Sequence, residues 1–276
     1  MSAPPRWTLH VERWLPPTPG RAQPTLLIHG MGASGRYWAP VAELVSAQRA
    51  ALAPDLLGFG RSPWPDVSYS LADHLAALQG LLTEPDLRHT RPVLVGHSAG
   101  SILALEWAAR LPDAFSGLLL IDLPAFRDEA EAKRHIGGLG FLASATAERP
   151  WLGRLICGTM CRLRPIARMA APHIAHDMPA EVARDGVLHT WRSYYGTLSS
   201  VILKNNVERA ASAVHARFTG PVRLLHGQHD RTAPLDLARG LAAHHGWPLQ
   251  TVPGADHNVP LIAAAAVAAA INELDS

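Results

Sequence analysis

Residues 92–105 read Pro92-Val93-Leu94-Val95-Gly96-His97-Ser98-Ala99-Gly100-Ser101-Ile102-Leu103-Ala104-Leu105. The apolar run before the first glycine favours a buried strand, and the run after the second favours a helix. Between them lies a G-x-S-x-G turn, in which the serine is strained and the glycines lack Cβ atoms that would collide as strand and helix close together. The pattern predicts a free hydroxyl on Ser98 at the end of a strand. A glycine-containing helix start is the alternative, and the rest of the chain argues against it.

The composition is that of an ordinary globular protein. The 276 residues are 48% hydrophobic and 17% charged, which suits one large α/β domain with an insertion. The formal net charge is +2, from 25 basic and 23 acidic residues, so no nucleic-acid partner is expected. Cys157 and Cys161 match no C-x-x-C redox or zinc pattern, so reduced thiols and a cytoplasmic location are expected.

Neither a signal peptide nor a stable membrane span is expected. Residues 1–6 lack the apolar core of a signal peptide, and no apolar run approaches the ~20 residues that a spanning helix needs. The alanine-rich residues 263–270 are too few and too weakly hydrophobic to cross a bilayer. They predict a terminal surface helix.

Short apolar runs alternate with helical patterns along most of the chain. One such pattern, with leucines spaced i, i+4, i+7 and i+11, follows Ser70, a candidate N-cap. The alternation predicts a doubly wound, mostly parallel α/β sheet, with ligand chemistry at the carboxyl ends of its strands. The predicted strands are residues 7–11, 25–28, 50–55, 92–95, 117–122, 221–227 and 248–253.

Residues 124–217 interrupt this alternation. No clean strand pattern occurs there, so residues 1–123 and 218–276 are predicted to form the core, with a helical cap inserted at 124–217. One cap segment has apolar residues on one helical face and several arginines, with no acidic residue between 149 and 168. We interpret it as a cap helix lying on the core; a membrane-surface lid and an anion-attracting entrance are the alternatives. Its apolar face comprises Leu152, Leu155, Ile156, Thr159, Met160 and Leu163.

A serine hydroxyl is a poor nucleophile near neutral pH. Ser98 needs an imidazole to accept its proton and a carboxylate to orient that imidazole. Asp230 lies in the turn after the strand predicted at 221–227, and His257 follows the last predicted strand. The order serine, aspartate, histidine is the one expected with this type of turn, so the three residues are predicted to form a catalytic triad.

Five stretches carry a family resemblance: His29-Gly30, Asp55-Leu56-Leu57-Gly58-Phe59-Gly60-Arg61-Ser62, Gly96-His97-Ser98-Ala99-Gly100, Gly227-Gln228-His229-Asp230 and Gly254-Ala255-Asp256-His257. Together they resemble the serine branch of the α/β-hydrolase superfamily over nearly the whole chain. The resemblance implies the α/β-hydrolase fold with a helical cap, Ser98 as nucleophile, Asp230 as orienting acid and His257 as base. It also implies an oxyanion hole formed by the backbone N–H groups of Met31 and Ala99.

Some neighbouring residues have competing interpretations. Asp122 ends a predicted strand and is the alternative to Asp230 as the triad acid. His97 is expected to be structural, and Asp256 is expected to cap its own loop.

Aromatic residues of the predicted cap and two histidine pairs also have competing interpretations. Trp191, Tyr194 and Tyr195 are candidate substrate-pocket residues, with packing inside the cap as the alternative. Histidine pairs occur at positions 226 and 229 and at 173 and 176, but further ligands at metal-binding spacing are missing. We therefore expect neither a metal nor a cofactor.

The predicted activity is hydrolysis of small or medium, largely apolar carboxylic esters through an acyl-enzyme intermediate. A serine at the turn argues against relatives with a carboxylate nucleophile, such as epoxide hydrolases and haloalkane dehalogenases. A carbon–carbon bond hydrolase is the alternative, although Met31-Gly32-Ala33-Ser34 lacks the proline usual in that group's oxyanion loop. Lactonases and perhydrolases also fit, and a small-molecule receptor without turnover is the alternative from another class. The motifs do not specify an oligomeric state.

Overall fold

The computed structural model describes residues 7–17, 22–176 and 178–274. Residues 1–6, on which the expectation about a signal peptide rests, lie outside them. The strands are β1 Val11–Trp14, β2 Thr25–Ile28, β3 Ala51–Pro54, β4 Val93–His97, β5 Gly117–Ile121, β6 Val222–Gly227 and β7 Leu249–Val252. They form one seven-stranded sheet in the order β1-β3-β2-β4-β5-β6-β7.

The sheet is parallel except at one edge. β1 is antiparallel to β3, and every other neighbouring pair is parallel. Leu94 of the central strand β4 lies opposite Leu26 of β2 and Leu118 of β5. All residues of β2, β3, β4 and β5 are buried, because helices cover both faces of the sheet. The predicted doubly wound, mostly parallel sheet is confirmed.

Helices connect the strands. The N-cap prediction for Ser70 is confirmed, because its side chain accepts from the Asp73 N–H while the Asp73 carboxylate accepts from the Ser70 N–H. Shorter helical turns lie at Gly35–Trp38 and Gly80–Thr83, and a π-helical segment lies at Leu198–Leu203. The α-helices are α1 Ala39–Val45, α2 Leu71–Gln79, α3 Ala99–Arg110, α4 Glu129–Gly137, α5 Phe141–Ala147, α6 Pro150–Arg162, α7 Arg164–Ile174, α8 Ala180–Asp185, α9 Trp191–Thr197, α10 Val207–Arg217, α11 Leu235–His245, α12 Val259–Ile262 and α13 Ala264–Asn272.

The first strand lies later in the chain than its sequence pattern predicts. The alternation at residues 7–11 predicts a strand there, but β1 begins at Val11, which pairs with Pro54. The preceding His10 N–H donates to the Ser62 hydroxyl at 3.0 Å instead of to a neighbouring strand. Leu9 is buried in the core without being part of the sheet. The alternation therefore marks which side chains point inward, whereas the partner strand sets the boundaries.

The segment between β5 and β6 is helical, and the part of it that the structure describes contains no strand. It includes α4 to α10, and α6 packs against α5, α7 and α9. The face predicted to lie on the core is only partly covered: Ile156 and Met160 are half-buried, but Leu155 and Leu163 are 65% and 51% exposed. The interpretation of α6 as a cap helix lying on the core stays a prediction, and these two leucines lie outside the buried part of its face.

The predicted terminal helix is present as α13. It packs against α1, and Val267 and Ile271 are fully buried, so one side of this helix belongs to the core. Over the described residues, no helix combines the length and the apolarity that crossing a bilayer requires.

Candidate active site

Ser98 lies in the sharp turn between β4 and α3. Its backbone angles are φ 54° and ψ −124°, a conformation that is costly for a residue with a side chain. A Cβ atom on Gly96 would collide with the carbonyl oxygen of Gly100, and one on Gly100 would collide with that of Ile28. The two glycines therefore let the helix approach the strands closely, as the turn pattern predicts.

His257 and Asp230 reach Ser98 from the ends of two other strands. Asp230 follows β6, and His257 follows β7. His257 Nδ1 lies 2.8 Å from Asp230 Oδ2, and His257 Nε2 lies 2.9 Å from Ser98 Oγ. A carboxylate only accepts hydrogen bonds, so Nδ1 carries the proton and Nε2 is free to accept from the serine hydroxyl. The structure thus brings together the three residues that the sequence singled out.

The other oxygen of Asp230 holds its carboxylate in place. Asp230 Oδ1 accepts from the N–H groups of Thr232 at 2.7 Å and Ala233 at 2.9 Å. Burial alone would raise the pKa of Asp230, but the hydrogen bond from His257 and the charge of its ring bring that pKa below its ordinary value. Burial alone would lower the pKa of His257, but Asp230 raises it above 6.5. The protonated ring is therefore stabilised by its neighbour.

Among the described residues, Asp122 lies beside these three side chains but forms no hydrogen bond with the His257 ring. It has a positive φ of 49°, and its Oδ1 accepts from the Gly227 N–H at 2.8 Å. Its Oδ2 lies 3.5 Å from His97 Nε2. Asp122 therefore anchors the end of β6, from which the Asp230 turn begins. Asp256 accepts from the Asn258 N–H at 2.8 Å, as expected for a residue that caps its own loop.

His97 has a more specific contact than its expected structural role suggests. Its Nε2–H donates to the backbone carbonyl of His257 at 2.7 Å. The ring stacks on Tyr37, with centroids 5.0 Å apart, and lies 4.9 Å from the His257 ring. His97 thereby fixes the backbone of the loop that carries His257. Because 160 residues separate the two, no local sequence signal could indicate the contact.

His29 fixes the loop that carries Met31. The Leu56 N–H donates to His29 Nε2 at 2.9 Å, so the ring proton is on Nδ1, which donates to the Gly30 carbonyl at 2.7 Å. Burial lowers the pKa of His29, consistent with a neutral ring. The Gly30 carbonyl and the Met31 N–H belong to one planar trans peptide and point in opposite directions. Holding the carbonyl against His29 therefore directs the Met31 N–H away from that ring.

The second predicted oxyanion donor begins a helix. Ala99 is the first residue of α3, where backbone N–H groups have no intrahelical acceptor. Gly30 lies against the nucleophile: a Cβ there would be 3.0 Å from Ser98 Cβ. The peptide that carries the Met31 N–H and the N-terminus of α3 thus border the same serine.

A match to a family model accompanies this geometry. The model of the alpha/beta hydrolase family matches residues 25–270. The chain belongs to the alpha/beta hydrolase family. Within the described residues, two triplets of potential metal ligands overlap the site. Both ring nitrogens of His257 and both carboxylate oxygens of Asp230 already form the hydrogen bonds given above. The triplets are His97, Asp122 and His257, and Asp122, His226 and Asp230. A third, of exposed Glu208 and His244 with buried His245, includes none of the three predicted triad residues.

Similar proteins include several kinds of hydrolase. Lipase LipV of Mycobacterium tuberculosis is 41% identical over 115 residues, which cover 41% of each chain. A haloalkane dehalogenase of Bradyrhizobium diazoefficiens is 35% identical over 107 residues, covering 37% of this chain and 34% of the dehalogenase. The alignments thus span less than half the length of these relatives.

Solved structures show the same fold. E-2-(acetamidomethylene)succinate hydrolase superposes with a TM-score of 0.71 at 20% identity, covering 98% of this chain and 95% of that one. A thermophilic esterase from Thermogutta terrifontis, with malate bound, gives a TM-score of 0.69 at 24% identity and covers 96% and 92%.

This alpha/beta hydrolase has an apolar cavity of about 370 Å³ between α5, α6 and α9. Trp191 and Tyr194 line it together with His189. Tyr195 stacks on Trp191 and borders a separate open depression. The His189 ring lies 6.2 Å from that of Phe59, which lies 6.4 Å from His29. The structure therefore places two of the three candidate pocket residues in one cavity. Ser98 does not line this cavity, and the rings of His189 and Phe59 lie in succession between it and His29.

Proposed function

We propose that the protein is a serine hydrolase that cleaves small or medium, largely apolar carboxylic esters. The hydrogen-bonded chain from Ser98 through His257 to Asp230 carries this proposal. Asp230 acts as the orienting acid, because its carboxylate accepts the His257 Nδ1 proton while two backbone amides fix its second oxygen. This leaves the lone pair of Nε2 directed at the serine hydroxyl.

In the acylation step, Ser98 Oγ forms a bond to the ester carbonyl carbon while His257 Nε2 accepts the hydroxyl proton. The carbon–oxygen bond to the alcohol then breaks, and the ring returns the proton to the departing alcohol. In the second step, water attacks the acyl-enzyme, with His257 again accepting a proton. The bond to Ser98 Oγ then breaks, His257 returns the proton to that oxygen, and the carboxylic acid is released.

The tetrahedral intermediates carry negative charge on the former carbonyl oxygen. We assign the backbone N–H groups of Met31 and Ala99 to stabilise it. One preorganised donor of this kind contributes about 10²- to 10³-fold to the rate of such reactions. His29 supports the Met31 donor through the Gly30 carbonyl, and Ser98 itself is held close to Gly30.

The apolar cavity supports an apolar substrate group. Its lining contains no Asp, Glu, Lys or Arg side chain, so a charged group would lose hydration there without gaining a partner. A serine at position 98, in place of a carboxylate, supports acyl transfer over displacement of a halide. Trp191 and Tyr194 are therefore proposed to contact the apolar part of the ester.

Replacing the nucleophile tests the proposal. We expect Ser98→Ala to lower the turnover of p-nitrophenyl esters at least about 10⁴-fold and to abolish labelling by a fluorophosphonate. Ser101→Ala is the matched control: this buried serine lies one helical turn later and donates to the Ser98 backbone carbonyl. Its loss leaves the nucleophile in place. Wild-type turnover in Ser98→Ala, or equal losses in the two variants, would contradict the assignment.

A further inference from the structure

The exposed apolar side chains of this protein are concentrated on α5 to α7. Of the eleven large ones that the structure describes, eight lie between residues 139 and 174. Met169 and Ile174 are 76% and 78% exposed. Single exposed apolar residues are common on protein surfaces, but a cluster of them is typical of an interaction surface. We call the following set the α6–α7 face: Trp151, Leu155, Leu163, Ile166, Met169 and Ile174, with Arg154, Arg162 and Arg168.

Positive charge accompanies the apolar residues. Arg154, Arg162 and Arg168 are exposed, and each directly precedes an exposed apolar residue of the face. Successive residues on a helix differ by about 100° in direction, so the guanidinium groups flank the apolar row. The aliphatic part of an arginine side chain is long enough for its guanidinium group to extend beyond the apolar row.

These three arginines lack acidic partners among the described residues, unlike arginines elsewhere on the surface. Arg13, Arg127 and Arg239, for example, pair with Glu84, Glu131 and Asp236. The sequence from residue 149 to residue 176 contains five arginines and no aspartate or glutamate. The α6–α7 face therefore combines an uncompensated positive charge with an apolar surface.

The face also adjoins the apolar cavity. An open groove between α6 and α7 is lined by Leu155, Leu163 and Ile166 on its outer side. Ile156 and Met160 line both this groove and the inner cavity. The groove and the cavity therefore share part of their lining, so a surface that covers the groove would contact the cavity wall.

We propose that the α6–α7 face docks this hydrolase on a membrane surface that contains anionic phospholipid. The apolar row enters the boundary between headgroups and acyl chains, and the arginines pair with the phosphate groups around it. A neutral apolar partner would leave three guanidinium groups without counter-charges. A second copy of the face would bring like charges together, so charge complementarity favours the anionic lipid. Docking does not require the proposed hydrolysis, and it is measured as binding.

Vesicle co-sedimentation tests the proposal. The full chain is mixed with vesicles of phosphatidylcholine alone, or with part of it replaced by phosphatidylglycerol, and the bound fraction is measured at low and at high salt. We expect binding only to the anionic vesicles, weakened by salt. Replacing Arg154, Arg162 and Arg168 together by glutamine should weaken binding on the order of a hundredfold, about fivefold for each arginine. The matched triple, glutamine at Arg127, Arg184 and Arg239, changes the net charge equally and should bind more tightly than the patch variant.

The apolar contribution needs its own variants. Ile166→Asn combined with Met169→Gln should weaken vesicle binding at least about tenfold, because less apolar area enters the lipid. Leu44→Asn combined with Ile262→Asn is the control, since both residues are exposed but lie outside the face. Circular dichroism confirms that each variant is folded. Equal binding to both vesicle types, or patch and control variants that bind alike, would overturn the proposal. So would a patch variant that changes only the oligomeric mass in size-exclusion chromatography.

Discussion

Replacing His29 by alanine should slow catalysis without touching any of the three residues proposed to form the triad. The ring accepts from the Leu56 N–H at 2.9 Å and donates to the Gly30 carbonyl at 2.7 Å. Without it, the peptide that carries the Met31 N–H loses the bond that orients it. If that N–H stabilises the oxyanion, its misplacement lowers kcat by about 10²- to 10³-fold, the cost of one such donor.

The same change also destabilises the fold. It leaves the Leu56 N–H and the Gly30 carbonyl, at a fully buried position, without their partner. An unsatisfied buried group costs about 1–3 kcal/mol, so the free energy of unfolding should fall by that amount for each of the two groups. Activity must therefore be measured where the variant is fully folded, as shown by its urea unfolding curve.

His74→Ala is the matched control for this experiment. His74 is also fully buried, with a pKa lowered by burial to about 4, but its Nε2 contacts the Thr197 hydroxyl at 2.9 Å. We expect a similar loss of stability from it and little loss of kcat for p-nitrophenyl esters. In His29→Ala, KM should stay near the wild-type value. The pH at which kcat/KM reaches half of its maximum on the acidic side should also stay near the wild-type value, because His257 is untouched. Equal kcat in the two variants, once folded, would refute the role of His29.

The remaining predictions concern the acid, the pH dependence and the turn. Asp230→Asn should lower kcat/KM about 10³- to 10⁴-fold, and Asp122→Asn less than tenfold, because the amide can still accept from the Gly227 N–H; comparable losses would reassign the acid. The raised pKa of His257 predicts that kcat/KM increases with pH to a half-maximum above pH 6.5, since the base must be neutral, and Asp230→Asn should move that midpoint downward. Gly100→Ala should lower the free energy of unfolding, measured in urea, by about 1–3 kcal/mol, because the added Cβ would collide with the backbone of β2. Gly240→Ala should raise that free energy, because the space around this position of α11 is open.

Most of the sheet follows from the sequence because its strands are buried on both sides. β2, β4 and β5 contain the apolar runs 26–28, 93–95 and 118–121, and such runs are typical of parallel strands covered by helices. The edge strand β1 is different: it is only partly buried, and its boundaries depend on pairing with β3. Pairing partners distant in the chain leave no local pattern, and this is why the prediction for β1 was displaced by several residues.

The candidate site also has a part that the sequence predicts and a part that it does not. Ser98, Asp230 and His257 each follow a strand, and the carboxyl ends of parallel strands meet at one edge of the sheet. Their proximity therefore follows from topology. The contacts of His29 and His97 are different, because they join side-chain nitrogens to backbone groups 27 and 160 residues away. Composition and spacing carry no signal for a bond of that kind.

The helices between β5 and β6 show what an amphipathic pattern leaves undetermined. Such a pattern predicts that a helix has an apolar side, but the direction in which that side points depends on the neighbouring helices. At Gly153 of α6, a Cβ would lie 2.7 Å from the Trp191 ring, so the absence of a side chain lets this ring approach the helix. This approach is one of the contacts of α6 with α5, α7 and α9. In the resulting rotation Ile156 lines the inner cavity, and Leu155 is exposed beside Arg154. The rotation of α6 therefore determines both the wall of the proposed substrate cavity and the exposure of the proposed docking face.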